Sequence, residues 1–471
     1  MKKELVSVVM PVCDEQQYLK QAIESILHQT YDNLELIIVD SSTDYMSVKT
    51  LAGLYGERVR YFYLEKQGIG AALNYGIARA RGTYLARMDA DDIAHPERLE
   101  KQVRFLEQNP SVGVLGTGWH WIDKNGKCIA TPDVTETQEA LKAKLLFHCP
   151  IRHPSVMFRK EVFEKGWKYD ERKTAEDYDL WTRLILHTEF ANLQEPLTGH
   201  RIHGNNASGL SEQKVNQSAA ESARAYLEAV FGLRLSSYQT VDFYPTEAKI
   251  PLQEPIEQYL ARQVKLLLAI DLLNRERGGF DRQLLICEIR ERLQRLSDKV
   301  LGRFADPSGG VLLTIFQNEA EKIQESADFL GWTEESADDL YQHAVQEVKR
   351  ILENRNLILQ KPISFVIYGA GARGLGLLKE YERAYKENGI NWRLAGIIDK
   401  KTIEIGYGEN RLTRQPDKLS EMEPDYILIS SKLCEKEIRD GLERMGTDKE
   451  KMISGDWLCY VQAESERQKP G

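Results

Sequence analysis

Arg87-Met88-Asp89-Ala90-Asp91-Asp92 is the stretch that decides how the chain folds. A short apolar run, Gly82-Thr83-Tyr84-Leu85-Ala86, precedes it and reads as a buried strand, while His95-Pro96-Glu97 after it opens a helix. Three carboxylates at one strand's end repel each other, so the arrangement is costly unless a cation or a donor-rich ligand sits among them. Oxygen ligands on a loop suit Mg2+ or Mn2+, which keep coordination sites for water and phosphate oxygens. A divalent ion carrying a diphosphate is the natural occupant. The plainer alternative is an acidic loop that caps the following helix, because Asp is an ordinary helix-start residue.

Upstream, Leu5-Val6-Ser7-Val8-Val9-Met10 is a near-continuous apolar run stopped by Pro11, the pattern of a parallel strand covered on both faces. An amphipathic helix to His28 follows, with Leu19, Ala22, Ile23, Ile26 and Leu27 at helical spacing, and then the strand Leu34–Val39 ending on Asp40. Strand, helix, strand makes a βαβ unit, and ligands of open parallel sheets bind outside the carboxyl ends of the strands. A third strand, Val59–Leu64, leads through Gly68-Ile69-Gly70 to a helix over 71–80, so the acidic triplet sits on the fourth strand. Asp40 can accept a base N–H, and the backbone at Pro11 and Val12 can meet a base or ribose edge. Asp40 serves equally well as a residue that ends a strand and starts a turn.

At 471 residues the chain exceeds what one hydrophobic core organises, so two or three domains are expected. Hydrophobic content of 42% with 29% charged residues is that of a soluble globular protein, and the net charge of -9 argues against a nucleic-acid partner. No apolar run reaches the roughly 18 residues of a membrane span, and the N-terminus enters a strand pattern directly. The expected location is cytoplasmic, with room for peripheral contact at the inner face of a membrane. The six cysteines are scattered without a C-x-x-C pair and read as reduced thiols.

Taken in order, Val9–Glu15, Leu36–Asp40, Ala71–Ile77, Met88–Asp92, Pro96–Gln102, His153–Met157, Ala175–Trp181 and Arg201–Asn206 resemble the successive motifs of the family 2 glycosyltransferases, which have the GT-A fold. The likeness covers roughly residues 5 to 210. One departure is that Asp40-Ser41-Ser42-Thr43 stands where the family commonly has Asp-Asp-Gly-Ser. The resemblance implies metal-dependent, inverting transfer of a sugar from a nucleotide-sugar, with a UDP-sugar favoured, to a glycan or lipid-linked acceptor in polysaccharide or glycoconjugate assembly. It assigns Asp91, helped by Asp89, to an Mn2+ or Mg2+ ion with His203 as a further ligand, and Asp92 to a supporting place behind them. Asp89 can instead bond the donor ribose. Pro11, Val12, Glu15, Asp40, Asn74 and Asp89 fall on donor-binding motifs. Asp177 takes the role of general base and Glu176 that of positioning the acceptor, although acids in a helix's first turn are also favoured by its dipole.

Trp119 and Trp121 lie on one face of an expected strand, where a Trp pair is more often core than a sugar platform. Arg152, His153 and Arg159 are unranked candidates for an acceptor or donor phosphate. The mixed-charge stretches 219–231, 256–274, 283–304 and 336–357 read as helices of an extension that packs on the catalytic domain or makes a subunit contact, hence a candidate homo-oligomer. At the C-terminal end, a strand over 362–368 runs into Gly369-Ala370-Gly371-Ala372-Arg373-Gly374 and a helix to about Asn388. A second strand over 392–398 then ends on Asp399, and a third covers 426–430. This is the context a dinucleotide fingerprint requires, and it resembles small Rossmann-like modules of polysaccharide-assembly proteins. NAD or another nucleotide, and a purely structural or docking role, fit it equally.

The expected fold class is therefore α/β: a GT-A mixed sheet flanked by helices over 1–210, a helical region over 211–360, and a small Rossmann-like domain over 361–471. Two rival functions are a nucleotide-dependent oxidoreductase or epimerase using the C-terminal domain, and a non-catalytic scaffold that binds nucleotide-sugars. The first would need a Tyr-x-x-x-Lys dyad, and none follows the glycine loop, where Lys386 lies five residues after Tyr381. The second is hard to square with intact Asp91 and Asp177.

Overall fold

The structure is a computed structural model. It describes residues 3–296, apart from 15–16, 66, 136, 203–211, 233, 236–238 and 246–255, then residue 317 and the segments 363–369, 392–399, 415–429, 435–448 and 451–454. Glu15, His203, Gly371, Gly374 and the helices expected over 336–357 and up to 388 lie outside these residues. The chain divides into two compact units, residues 1–251 with 271–288 and residues 252–270 with 289–471.

The first unit runs β1 (Val6–Val12), α1 (Leu19–Leu27), β2 (Leu34–Asp40), α2 (Tyr45–Gly53), β3 (Val59–Tyr63), α3 (Ile69–Ile77), β4 (Tyr84–Arg87), β5 (Ile93–Ala94) and α4 (Arg98–Gln108). It continues with β6 (Val112–Ile122), β7 (Cys128–Ala130), α5 (Gln138–Lys144), β8 (Met157–Arg159), α6 (Glu161–Glu164), α7 (Glu176–Leu184), β9 (Glu189–Arg201) and α8 (Glu212–Phe231). The helices α9 (Ile256–Arg277) and α10 (Arg282–Leu296) follow. The strands form one mixed sheet in the order β3-β2-β1-β4-β8-β6-β9-β5, with β7 paired to β6. β3, β2, β1 and β4 are parallel, and β8 joins β4 and β6 antiparallel. This is the α/β mixed sheet the motifs imply.

Apolar runs without alternation account for the sheet's centre. Val8, Val9, Met10, Leu36, Ile37, Ile38 and Val39 are all buried, because helices cover both faces. α1 contributes Leu19, Ala22, Ile23 and Ile26 to that core. The chain reaches β4 only after building β2 and β3 on the other side of β1, so the strand order reverses at β1. At such a reversal the loops leaving the carboxyl ends diverge and open a crevice. Val12 is in register with Asp40, and Val9 with Arg87, which brings the ends of β1, β2 and β4 to that one edge.

Some elements depart from their expected bounds. The polar loop after Asp40 turns at once into α2, because the Asp44 side chain accepts from Ser47 N–H at 3.2 Å and caps the helix. α3 starts two residues before the expected Ala71 and ends at Ile77. β8 and the long β9 carry no simple apolar alternation; β9 exposes Glu189 and Glu195 and holds its place by pairing with β6.

In the second unit β10 (Ile363–Tyr368), β11 (Trp392–Ile398), α11 (Leu419–Met422), β12 (Tyr426–Ile429), α12 (Glu435–Arg444) and β13 (Met452–Ser454) build a parallel sheet in the order β11-β10-β12-β13. Val366, Ile398, Ile427, Ile429, Leu442 and Met452 form its core. No helix among the described residues is long and apolar enough to cross a membrane.

Gly82 sits at a close approach of two backbone segments. A Cβ there would overlap the Leu5 carbonyl and stand 2.7 Å from Ser7 N, neither of which can move without breaking β1. Gly82→Ala is expected to destabilise the chain by about 1–3 kcal/mol. A thermal melt would show the first transition falling by about 2–4 °C for each kcal/mol, and an unchanged melt would contradict this packing.

Candidate active site

The acidic turn leaves β4 under the control of three buried arginines. Arg87 is buried and pairs with Asp89. Arg98, at the start of α4, donates Nη2–H to the Arg87 carbonyl at 2.8 Å and Nε–H to Gln102 Oε1 at 3.1 Å. Arg201, at the end of β9, donates Nε–H to the Asp91 carbonyl at 2.7 Å and Nη2–H to Gln21 Oε1 at 3.0 Å, and its guanidinium lies 4.3 Å from the Tyr18 ring centre. Asp92 is fully buried: Oδ1 accepts the Arg201 backbone N–H at 2.8 Å and Oδ2 lies 3.0 Å from His200 Nδ1. Burial pushes the Asp89 carboxyl up to about 6 against the opposing pull of Arg87.

Ligand atoms of Asp89, Asp92 and His200 converge within 4.8 Å of one another. The 3.0 Å between Asp92 Oδ2 and His200 Nδ1 is also the edge expected between two atoms bound to one small octahedral cation at about 2.1 Å. Carboxylate oxygens suit Mn2+ or Mg2+, and an imidazole nitrogen beside them favours Mn2+ over Mg2+. The donor set therefore fits such an ion, with His200 as its histidine among the described residues; His203, the ligand the resemblance implies, lies outside them.

A second acidic pair stands at the start of α7. Glu176 is buried and Asp177 partly so, and their carboxylates lie 3.6 Å and 3.9 Å from His153 Nδ1. Burial, reinforced by the neighbouring Asp177, pushes Glu176 up to about 8, and burial also raises Asp177. Burial and the nearby Arg87 charge hold the His153 imidazole well below its usual range, so it is neutral at pH 7. His153 Nε2 shares a 2.9 Å hydrogen bond with the Tyr169 hydroxyl. The Arg87 charge acts on Asp89, Glu176, Asp177, His153 and Tyr169 alike, which puts the acidic turn and the α7 pair in one electrostatic field.

Two braces hold the α7 end. Asn74 on α3 donates to the Tyr169 carbonyl at 3.0 Å and accepts the Tyr169 N–H at 3.0 Å. That fixes the tyrosine that fixes His153. From the other side α8 reaches in: Ser218 Oγ accepts the Ala175 N–H at 3.3 Å, Ser222 Oγ donates to Asp179 Oδ1 at 3.0 Å, and Lys173 pairs with Glu221 at 2.9 Å.

The remaining expected residues separate by their surroundings. Asp40 is fully buried, with Oδ1 accepting Ser42 N–H and Oδ2 accepting the Tyr61 hydroxyl, each at 2.8 Å. It thus does the strand-ending, turn-starting work weighed for it. Val12 is buried and its carbonyl accepts Ser41 N–H at 2.8 Å, while Pro11 is partly exposed. Asp14, left-handed at φ 56°, links the two loops by donating N–H to Ser42 Oγ at 2.9 Å and accepting Thr43 N–H at 2.7 Å. In the second unit Gly369 follows β10 at φ 103° and donates to the Ile398 carbonyl at 2.7 Å, next to Asp399. Sequence patterns had offered no role for Arg87, Arg98, Tyr169, His200 or Arg201. Arg201 stood inside a quoted motif, but nothing in a linear pattern distinguishes a buried arginine from an exposed one.

The family model described as glycosyl transferase family 2 matches residues 7–167. The O-antigen biosynthesis glycosyltransferase WbnJ of Escherichia coli is 35% identical over 241 residues, covering 49% of this chain and 88% of that protein. The chain belongs to glycosyl transferase family 2. It is an enzyme, a glycosyltransferase. The uncharacterized glycosyltransferase MJ1057 of Methanocaldococcus jannaschii is also 35% identical, over 46% of this chain and 77% of its own. Among solved structures, S. aureus TarS 1-349 in complex with UDP superposes with a TM-score of 0.42 at 17% identity, covering 62% of this chain and 90% of that one.

The pair at α7 carries a pH signature. Glu176 holds its proton more tightly folded (about 8) than unfolded (4.5), so the stability it contributes is full below the lower value and is lost as pH rises through the higher one. Glu176→Gln removes that loss. The melting temperature of wild type is expected to fall relative to the variant between about pH 5 and about pH 9, and parallel melting curves would contradict the assignment.

Proposed function

We propose that this glycosyltransferase moves a sugar, with inversion, from a nucleotide-sugar to a hydroxyl of a glycan or lipid-linked acceptor, with a divalent cation at the acidic turn. The observation that carries this is the shared field of the acidic turn and the α7 acid pair. In a single displacement the acceptor oxygen bonds to the anomeric carbon while the carbon–oxygen bond to the diphosphate breaks, and that electron pair leaves with the nucleoside diphosphate. Asp177 takes the acceptor proton. With Glu176 protonated near pH 7, the pair bears one negative charge rather than two, and we assign that charge to Asp177. Neutral His153 and Tyr169 hold the pair without adding a competing charge.

When bound, the cation neutralises the charge that develops on the departing diphosphate. Asp89 and Asp91 would hold it by family likeness, and Asp89, Asp92 and His200 by convergence of ligand atoms. Asp89 is common to both sets. Asp40, bonded to Ser42 and Tyr61, shapes the loop 41–44 on which a base would rest, and UDP is the first nucleotide to test. The O-antigen role of WbnJ, a relative matched over most of its length, favours a polysaccharide acceptor. In the second unit, Gly369 and Asp399 at adjacent strand ends favour a second nucleotide such as NAD.

Titration calorimetry with UDP, GDP, CDP and TDP, with and without Mn2+, tests the donor side, and the same titration with NAD tests the second unit. Asp89→Asn is expected to lower the Mn2+-dependent gain in diphosphate affinity by at least about tenfold, and parallel Asp91→Asn and Asp92→Asn variants separate the two ligand sets. An undiminished gain in all three would remove the metal assignment. Asp177→Asn is expected to slow donor turnover by about 10^2–10^4-fold with donor affinity little changed. Near-normal turnover would remove Asp177 from the mechanism.

A further inference from the structure

Of the three side chains that the sequence left unranked, the structure spends two elsewhere. Arg159 is committed to main-chain carbonyls, donating Nε–H to Val112 O at 2.9 Å and Nη2–H to Leu106 O and Asn109 O. His153 is buried, neutral and bonded to Tyr169. Arg152 differs from both. Its guanidinium lies over Trp121 at 4.6 Å and over Trp119 at 5.0 Å from the ring centres. A cation over an indole is attracted by the ring's quadrupole and gains no oxygen acceptor for its N–H groups. Among the described residues those N–H groups have no hydrogen-bond partner and no carboxylate within ion-pair distance. The side chain is nevertheless partly enclosed: burial lowers the pKa of its guanidinium, against the opposing pull of Cys149, Asp92, Asp177 and Asp89.

A partly desolvated guanidinium, lying against two indoles and left without an acceptor among the described residues, is poised for an oxyanion, which its planar fork fits. Arg87, the other cation near this point, is already paired with Asp89. We infer that Arg152 binds the diphosphate of the nucleotide donor, adding a protein cation to the charge neutralisation at the acidic turn. The tryptophan pair then serves as a rigid stacking platform for an arginine, in place of either a plain core or a sugar platform. This inference rests on the donor reading given above. The bond that breaks is the same one, and Arg152 stabilises the negative charge that leaves with it.

The test is calorimetry on the full chain with Mn2+, using UDP or GDP, whichever wild type binds, and the matching nucleoside as control. Arg152→Gln is expected to weaken the diphosphate by roughly 10- to 100-fold and to leave the nucleoside unaffected, while Arg152→Lys recovers part of the loss. Should the Gln variant fail to fold, Arg152→Met keeps the apolar stem over the indoles and removes the charge. Diphosphate affinity equal to wild type, or an equal loss for the nucleoside, would overturn the assignment. If wild type itself binds no nucleoside diphosphate, it is the donor reading that fails.

Discussion

The clustering of Asp89, Asp91 and Asp92 on one turn is the constraint to which the rest of the catalytic unit answers. Like charges at such spacing repel more strongly the further they are from water, and Asp92 is fully enclosed. The chain meets this with buried guanidiniums from three separate elements: Arg87 at the end of β4, Arg98 at the start of α4 and Arg201 at the end of β9. Two of them grip main-chain carbonyls of the stretch itself, at Arg87 and Asp91, and so fix backbone as well as charge. Buried ion pairs of this kind are weak contributors to net stability, because desolvation offsets their attraction. Their effect is geometric. They hold carboxylates in a fixed array before any ligand arrives, as preorganised electrostatic stabilisation requires.

The acidic pair at the start of α7 is handled in the same way. Glu176 and Asp177 begin a helix, where the dipole favours acids, yet burial raises both. A neutral histidine, a tyrosine and Asn74 hold them from the sheet side, and serines of α8 from the other. The helix α8 is thus more than an appendage, since it helps set the entry to α7.

Much of this architecture was legible because parallel strands covered on both faces must be apolar throughout. β1, β2, β10 and β12 show that pattern, and these strands and the edge strand β11 lie within a residue or two of their expected bounds. β8 and β9 were not legible, because their register comes from pairing with β4 and β6 rather than from alternation along the chain. Within the site, Asp89, Glu176 and Asp177 stand out through their place in the family-like motifs, since acids at a strand's end or a helix's start are ordinary by themselves. The partners that tune them do not. His200 and Arg201 approach Asp92 across more than a hundred residues, and Tyr169 meets Asn74 only because α3 packs beside that segment.

The central claim is that this arginine-fixed turn exists to hold a cation against a leaving nucleotide. Crystals grown with Mn2+ and a nucleoside diphosphate would address it most directly, through the anomalous signal of the metal. The account predicts a peak in direct bonding distance of Asp89 and of a phosphate oxygen at once. A metal bound elsewhere, or a diphosphate seated away from the ends of β1, β2 and β4, would contradict it.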